Sequence, residues 1–191
     1  MIHLSISFVC MNINSRSTKQ KLFDHFPLMD PPITLSSEVA PRFSADNKAL
    51  PSNLIAEYFS VWDQLDEYTE IIPCLQLKTE YKDIACLIYL KIALMSYEYI
   101  LVSLDKELNL LSKKVIAGTL SNNLTVKESV AYIGEDLIIH CMSGESESNL
   151  RDYKPENSSS FQFEILPNGS IDTTHEENNT WEEENMGRRK N

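Results

Sequence analysis

The chain has little glycine and no closely spaced cysteines. Only 5 of its 191 residues are glycine, and its cysteines, Cys10, Cys74, Cys86 and Cys141, form no C-x-x-C pair. Phosphate-binding loops need glycines where the backbone approaches the ligand, and structural zinc sites need cysteines at short spacings. The sequence contains neither pattern, and it has no nucleophile elbow or zincin helix. We therefore predict a protein that is not an enzyme and whose cysteines stay reduced.

Histidine and positive charge are also scarce. Of the 4 histidines, only His140 lies on a predicted helix with a possible ligand partner, Asp136, four residues before it, and two such groups do not make a metal site. The chain has 28 acidic residues against 17 Lys and Arg, a net charge of −11. Binding to a phosphate backbone requires clustered positive charge. We expect no catalytic, cofactor-binding or metal-binding residues, no cofactor and no direct contact with nucleic acid.

The sequence does contain a long apolar repeat with helical spacing. Nine apolar residues follow one another at intervals of 3 and 4 residues. The average period of about 3.5 residues is typical of a helix that keeps one side against a partner helix. We call this set the seam, and it consists of Leu87, Leu90, Leu94, Tyr97, Leu101, Leu104, Leu108, Leu111 and Val115.

A second apolar set lies opposite the seam on the same predicted helix, between strips of polar residues. It consists of Ile88, Ile92, Met95, Tyr99 and Val102, and we call it the second face. A helix over residues 78–117 would be roughly 60 Å long, about twice the length of either predicted neighbour. One apolar face would then have no partner within the chain. This predicts a protein partner, in a hetero- or homo-oligomer, bound by helix–helix packing; the alternative is a self-contained bundle.

Three helices are predicted between residues 52 and 142. Polar residues after Pro51 cap the first helix, and Pro73 ends it. Thr125 and Glu128 have the spacing of a capping box at the start of a third helix. The predicted fold is all-α, a helical hairpin with one long coiled-coil-like helix and a shorter third helix.

Composition changes on both sides of this region. Residues 1–51 hold more than half of the 8 prolines, which predicts a mostly disordered arm and a linker. Residues 143–191 contain 11 acidic and 5 basic residues, so they supply −6 of the net charge of −11. Their composition predicts an acidic disordered tail. Within the tail, apolar and polar residues alternate from Phe161 to Ile165 before Asn168-Gly169, which predicts a short strand or hairpin.

These features predict a non-enzymatic helical scaffold or assembly subunit of a larger nuclear or cytoplasmic complex. Kinetochore, mediator and tethering complexes contain such subunits, an analogy of fold alone. Residues 84–104 suggest an alternative, because they are long enough to anchor the chain in a membrane. Lys91 and Glu98 near the middle of that stretch make a membrane span costly. A secreted helical-bundle factor, with its signal peptide at the apolar N-terminus, is the other alternative.

Overall fold

The computed structural model describes residues 21–122, 124–147 and 158–179. Within these ranges ten strands form one sheet, and the helices are short. The predicted all-α fold is therefore wrong, as are the coiled coil, the helical bundle and the helical scaffold built from them. Residues 1–20 of the predicted N-terminal arm lie outside the described residues, as do residues 148–157 and 180–191 of the predicted tail.

After a helical turn over residues 21–23, the N-terminal part of the described chain supplies two short strands and two short helices. Strands β1 (Leu28–Met29) and β2 (Ile33–Leu35) come first, followed by helix α1 (Ala40–Asp46). Helix α2 begins after Pro51 and has three parts, an α-helical turn (Ser52–Leu54), a π-helical turn (Ile55–Phe59) and an α-helical turn (Ser60–Trp62). Eight longer strands follow: β3 (Glu70–Leu77), β4 (Ala85–Ala93), β5 (Ser96–Leu104), β6 (Leu110–Ser121), β7 (Thr125–Ile133), β8 (Ile139–Glu147), β9 (Ser158–Ile165) and β10 (Ile171–Asn179).

From β3 to β10, each strand pairs antiparallel with the next strand along the chain. Strand β1 adds to the edge of β3 in parallel, and β2 pairs antiparallel with β7. Strand β6 pairs with β5 along nearly its whole length but with β7 only from Gly118 to Ser121. The sheet therefore opens between β6 and β7, and β2 lies beside the part of β7 that β6 has left.

Two hydrophobic clusters lie on opposite faces of β4 and β5. The inner cluster is shared with β7 to β10, and its members include Ile88, Leu90, Tyr99, Leu101, Ala131, Ile133, Cys141, Phe163 and Ile165. The outer cluster joins the sheet to the N-terminal segment, and its members include Leu22, Phe26, Leu54, Phe59, Trp62, Leu87, Tyr89, Ile100 and Val102. The central strands are thus covered on both faces, and the two halves of the sheet face each other around the inner cluster.

The predicted long helix is replaced by β4, β5 and β6, and alternation along these strands divides the seam between the two faces. Leu90 and Leu101 belong to the inner cluster, whereas Leu87 and Leu104 belong to the outer cluster. Leu94 lies in the turn between β4 and β5 and is exposed. Strands that are buried on both faces are apolar at almost every position. Residues taken from them at intervals of 3 and 4 are therefore apolar even though no helix forms.

The other predicted helices are also corrected. Helix α2 ends at Trp62, and the last residues of the predicted first helix, before Pro73, form the start of β3. Thr125 begins strand β7 instead of capping a helix. Residues 84–104, considered above as a membrane anchor, form β4 and β5. In the part of the chain that the structure describes, no helix has the length and apolar character needed to cross a bilayer.

The hairpin predicted near Phe161 is confirmed. Strands β9 and β10 pair around a turn in which Gly169 has a φ of 86°, a conformation that favours glycine. Phe163, Ile165 and Ile171 of this hairpin are buried in the inner cluster. The region boundaries predicted at residues 51 and 142 fall within one sheet, since β1 and β2 precede the first and β9 and β10 follow the second.

Candidate ligand-binding cleft

A cleft of about 370 Å³ lies where β6 leaves β7. One wall is the edge of β6, because every residue from Lys114 to Leu120 lines the cleft. The opposite side of the cleft, with its floor, is formed by β7 to β10, whose lining residues include Ser129, Cys141, Ser143, Phe161, Phe163 and Thr173. The volume falls within the range of about 300–1,000 Å³ that is typical of small-molecule sites.

Gly118 and a neighbouring bulge explain why β6 turns away from β7. Gly118 has a φ of 145°, and a Cβ at this position would overlap the carbonyl oxygen of Tyr97. Next to it, Ala117 pairs with Tyr99 while Val115 pairs with Ile100, so one extra residue of β6 is inserted between these pairs. A bulge bends its strand and increases the local twist. The glycine and the bulge together separate β6 from β7 and open the cleft.

Strand β10 approaches β6 at the other end of the cleft through side chains. The backbone N–H of Ile171 donates to the hydroxyl of Ser112 at 3.2 Å, and the ammonium of Lys114 donates to the hydroxyl of Thr173 at 3.4 Å. No strand among the described residues pairs with residues 115–117 on this edge. The cleft therefore presents an open strand edge to a ligand.

The floor of the cleft is aromatic. The rings of Phe161 and Phe163 are nearly parallel, with an interplanar angle of 6° and centroids 6.3 Å apart. The ammonium of Lys114 lies 4.6 Å from the centroid of the Phe163 ring, within the range of a cation–π contact. An apolar group of a ligand could pack on these rings beside a positive charge.

The polar groups at the back of the cleft are neutral. Ser143 is buried, and its hydroxyl forms a hydrogen bond of 2.7 Å with the hydroxyl of Ser159. Burial raises the pKa of the Cys141 thiol to about 12, against a smaller lowering effect of Lys114. The thiolate is the nucleophilic form of cysteine. Cys141 therefore stays protonated near neutral pH and contributes an apolar surface.

Charged side chains surround the cleft, with Lys114 half-buried and Lys127 and Glu176 exposed at the mouth. Glu98 also borders the cleft, and the residue directly opposite Glu98 on the neighbouring strand β4 is Lys91. Among the described residues, no carboxylate lies within 4.0 Å of the ammonium of Lys114 or Lys127. Both lysines are available to a negatively charged ligand.

A separate ion network lies on the outer face of the sheet around Asp63, which follows helix α2. Its carboxylate accepts hydrogen bonds from Lys91 at 2.8 Å and from the hydroxyl of Tyr89 at 3.1 Å. The ammonium of Lys113 lies 3.5 Å from the same carboxylate and donates to the carbonyl oxygen of Trp62 at 2.9 Å. These contacts fasten the end of α2 to β4 and β6, so we interpret the network as structural.

The residues predicted as a partner interface do not form one surface. Most seam residues are buried within the chain, whereas Leu94, Leu111 and Val115 are exposed and Tyr97 is partly buried. In the second face, Ile88, Tyr99 and Val102 are buried, Ile92 is partly buried and Met95 is exposed. Val115 is the one member of either set that lines the cleft.

A second groove lies beside the turn between β4 and β5, lined by residues that include Pro41, Leu94, Met95 and Tyr97. The hydroxyl of Tyr97 is buried and has no hydrogen-bond partner among the described residues. Its ring makes an edge contact with Tyr99, with centroids 6.4 Å apart. Solvent does not reach this hydroxyl, so the groove offers a ligand no polar contact through it.

No local pattern in the sequence predicts the cleft. Lys114 and Thr173 are 59 residues apart in the chain and meet because β10 returns to β6. The alternation around Phe161 could identify the aromatic floor, but not the strand that faces it.

The described ranges contain no group of three or more His, Cys, Asp or Glu residues in a metal-binding arrangement.

No protein-family model, curated protein or solved structure matches this chain.

Proposed function

We propose that this protein is a binding module that holds a small ligand with an apolar group in the cleft beside β6. The observation that carries the proposal is the aromatic floor of the cleft, where the ring of Phe161 is partly exposed and the ring of Phe163 is buried beside it. The floor is open because β6 pairs with β7 only from Gly118 to Ser121. A ligand would cover apolar surface that the chain itself leaves in contact with water, which favours binding.

Three further expectations remain proposals. The protonated thiol of Cys141 supports binding over catalysis, since a thiol held neutral is a poor nucleophile. Cys74, Cys86 and Cys141 are free and buried, which supports a reducing nuclear or cytoplasmic location. A protein partner is still a prediction, but it is no longer expected to bind by packing along a long helix.

A neutral fluorescent probe tests the proposed function. N-phenyl-1-naphthylamine is apolar and should show saturable binding with increased fluorescence in the full chain. Ser129→Phe places a large ring in the cleft, whereas Val130→Phe places the same ring on the opposite, exposed face of β7. We expect Ser129→Phe to weaken binding about tenfold or more, equivalent to about 1.4 kcal/mol, and Val130→Phe to leave it unchanged. Absence of saturable binding, or equal effects of the two variants, would overturn the proposal.

A further inference from the structure

We infer that the ligand of the cleft is an amphipathic anion, an apolar molecule that carries one carboxylate or sulfonate group. This inference rests on the proposed function and adds the chemistry of the polar end. The apolar part would lie on Phe161 and Phe163, and the anionic group would contact the ammonium of Lys114.

Lys114 is held in place at the floor of the cleft. Its ammonium lies 4.6 Å from the centroid of the Phe163 ring and 3.4 Å from the hydroxyl oxygen of Thr173. Neither contact neutralises the charge, because a phenyl ring and a hydroxyl carry no net charge. A hydrogen bond between an ammonium and a carboxylate is roughly twice as strong as one between neutral groups. An anion at this point would therefore satisfy a charge that the described part of the protein leaves without a carboxylate partner.

The carboxylates near the cleft do not take the place of such a ligand. Glu98 also borders the polar hollow that contains Asp63 and Lys91, so its charge lies close to those of the outer ion network. Glu176 is exposed at the mouth, where water screens its charge. Lys127 is exposed at the mouth as well, so its charge is screened in the same way. Lys114 is half-buried, and its ammonium contacts the ring of Phe163 at the floor of the cleft.

The aromatic floor limits what kind of anion would bind. Inorganic phosphate or a free carboxylate such as acetate would contact Lys114 but leave the partly exposed ring of Phe161 uncovered. A neutral apolar molecule would cover the rings but leave the ammonium unpaired. A molecule with both parts, such as a medium-chain fatty acid or an aromatic acid, matches both features of the site.

A matched pair of probes tests this inference in the full chain. 1-Anilinonaphthalene-8-sulfonate and N-phenyl-1-naphthylamine share the same two aromatic groups and differ by the sulfonate. We expect the anionic probe to bind about tenfold more tightly, the order of effect of one charge-assisted hydrogen bond. Octanoate should displace it, and octan-1-ol should displace it much less well. Equal affinities of the two probes, with saturable binding of both, would overturn the inference and leave the proposed function intact, whereas binding of neither probe would overturn both.

Substitution of Lys114 tests whether this residue causes the preference for the anionic probe. Lys114→Met should weaken the anionic probe about tenfold and change the neutral probe by less than about threefold, whereas Lys114→Arg should retain most of the preference. Lys82→Met is the matched control, because Lys82 is exposed and outside the cleft while the change in net charge is the same. If Lys114→Met unfolds, Lys114→Gln provides the same comparison. A parallel loss of both probes, or an equal effect at Lys82, would overturn the inference.

Discussion

The ammonium of Lys91 lies 2.8 Å from the carboxylate of Asp63, and this ion pair joins strand β4 to the end of helix α2. The two side chains are 17% and 7% exposed, respectively, so water solvates the pair only weakly. Lys113 and the hydroxyl of Tyr89 contact the same carboxylate. The N-terminal segment is therefore attached to the sheet by a buried polar network as well as by the outer hydrophobic cluster.

Removing the charge of Asp63 should destabilise the fold. Asp63→Asn leaves two ammonium groups without their counter-charge, and breaking a buried ion pair by removing one partner costs about 3–5 kcal/mol. Because Lys91 and Lys113 keep some contact with solvent, we expect a loss of about 2–3 kcal/mol in the free energy of unfolding. Urea denaturation followed by circular dichroism measures this change.

The control for this prediction is an exposed ion pair of the same type. Asp30 lies 3.1 Å from the ammonium of Lys78, and both side chains are mostly exposed. Exposed pairs contribute about 0–1 kcal/mol, so Asp30→Asn should have a small effect. Equal losses in the two variants would contradict a special role for the Asp63 network.

The contribution of Asp63 should depend on pH in a defined direction. Burial alone would raise the pKa of Asp63, but the hydrogen bond from Lys91, the charges of Lys113 and Lys91 and the bond from Tyr89 hold this pKa below its usual value of 3.8. A carboxyl group whose pKa is lower in the folded state stabilises the fold above its unfolded pKa. The stabilisation is lost as the pH falls through the folded pKa.

Denaturation at several pH values measures this dependence. The difference in unfolding free energy between the wild type and Asp63→Asn should be constant from about pH 7 to pH 5 and should shrink as the pH falls below about 4. A difference that grows on acidification would show that the pKa of Asp63 is raised in the folded state.

The hairpin of β4 and β5 could not be recognised from the sequence because its turn carries none of the usual signals. The turn between β4 and β5 is Leu94-Met95, without Gly, Pro, Asn or Asp. Leu108 has a positive φ of 66° in the turn between β5 and β6, a conformation that leucine rarely adopts. Asp105 is a local signal in that turn, since its carboxylate accepts hydrogen bonds from the backbone of Glu107 and Asn109.

The hairpin of β9 and β10 was predictable because its signals are local. Strand β9 pairs with β8 on one edge and with β10 on the other. Along β9, buried apolar residues alternate with polar ones, which is the pattern expected of a strand with one buried face. The turn at Gly169 also has the expected residue type. In contrast, β4 and β5 are buried on both faces, and periodicity alone does not distinguish such strands from a buried helix. The cleft depends on contacts between distant strands, which no local pattern of the sequence reports.

Gly118 should be required for the geometry of the cleft. A Cβ at this position would overlap the backbone of β5 at Tyr97, and the φ of 145° is strained for any other residue. We expect Gly118→Ala to lower the free energy of unfolding by about 1–3 kcal/mol and to weaken binding of N-phenyl-1-naphthylamine. Gly134→Ala is the control, because the added Cβ meets the end of the flexible Asp136 side chain and not the backbone of another strand. Similar stability of the two variants would show that β6 can turn away from β7 without a glycine.

Leu101 and Leu94 distinguish the sheet from the helical seam in one experiment. The two leucines are equivalent in a heptad, so a coiled coil predicts similar losses when either is replaced by alanine. In the structure, Leu101 is 0% exposed in the inner cluster, whereas Leu94 is 79% exposed in the turn between β4 and β5. Leu101→Ala should therefore cost about 2–5 kcal/mol through lost burial and the cavity that remains. Leu94→Ala should change the free energy of unfolding by less than about 0.5 kcal/mol. Urea denaturation of both variants measures the difference, and equal losses would support the helical seam against the sheet.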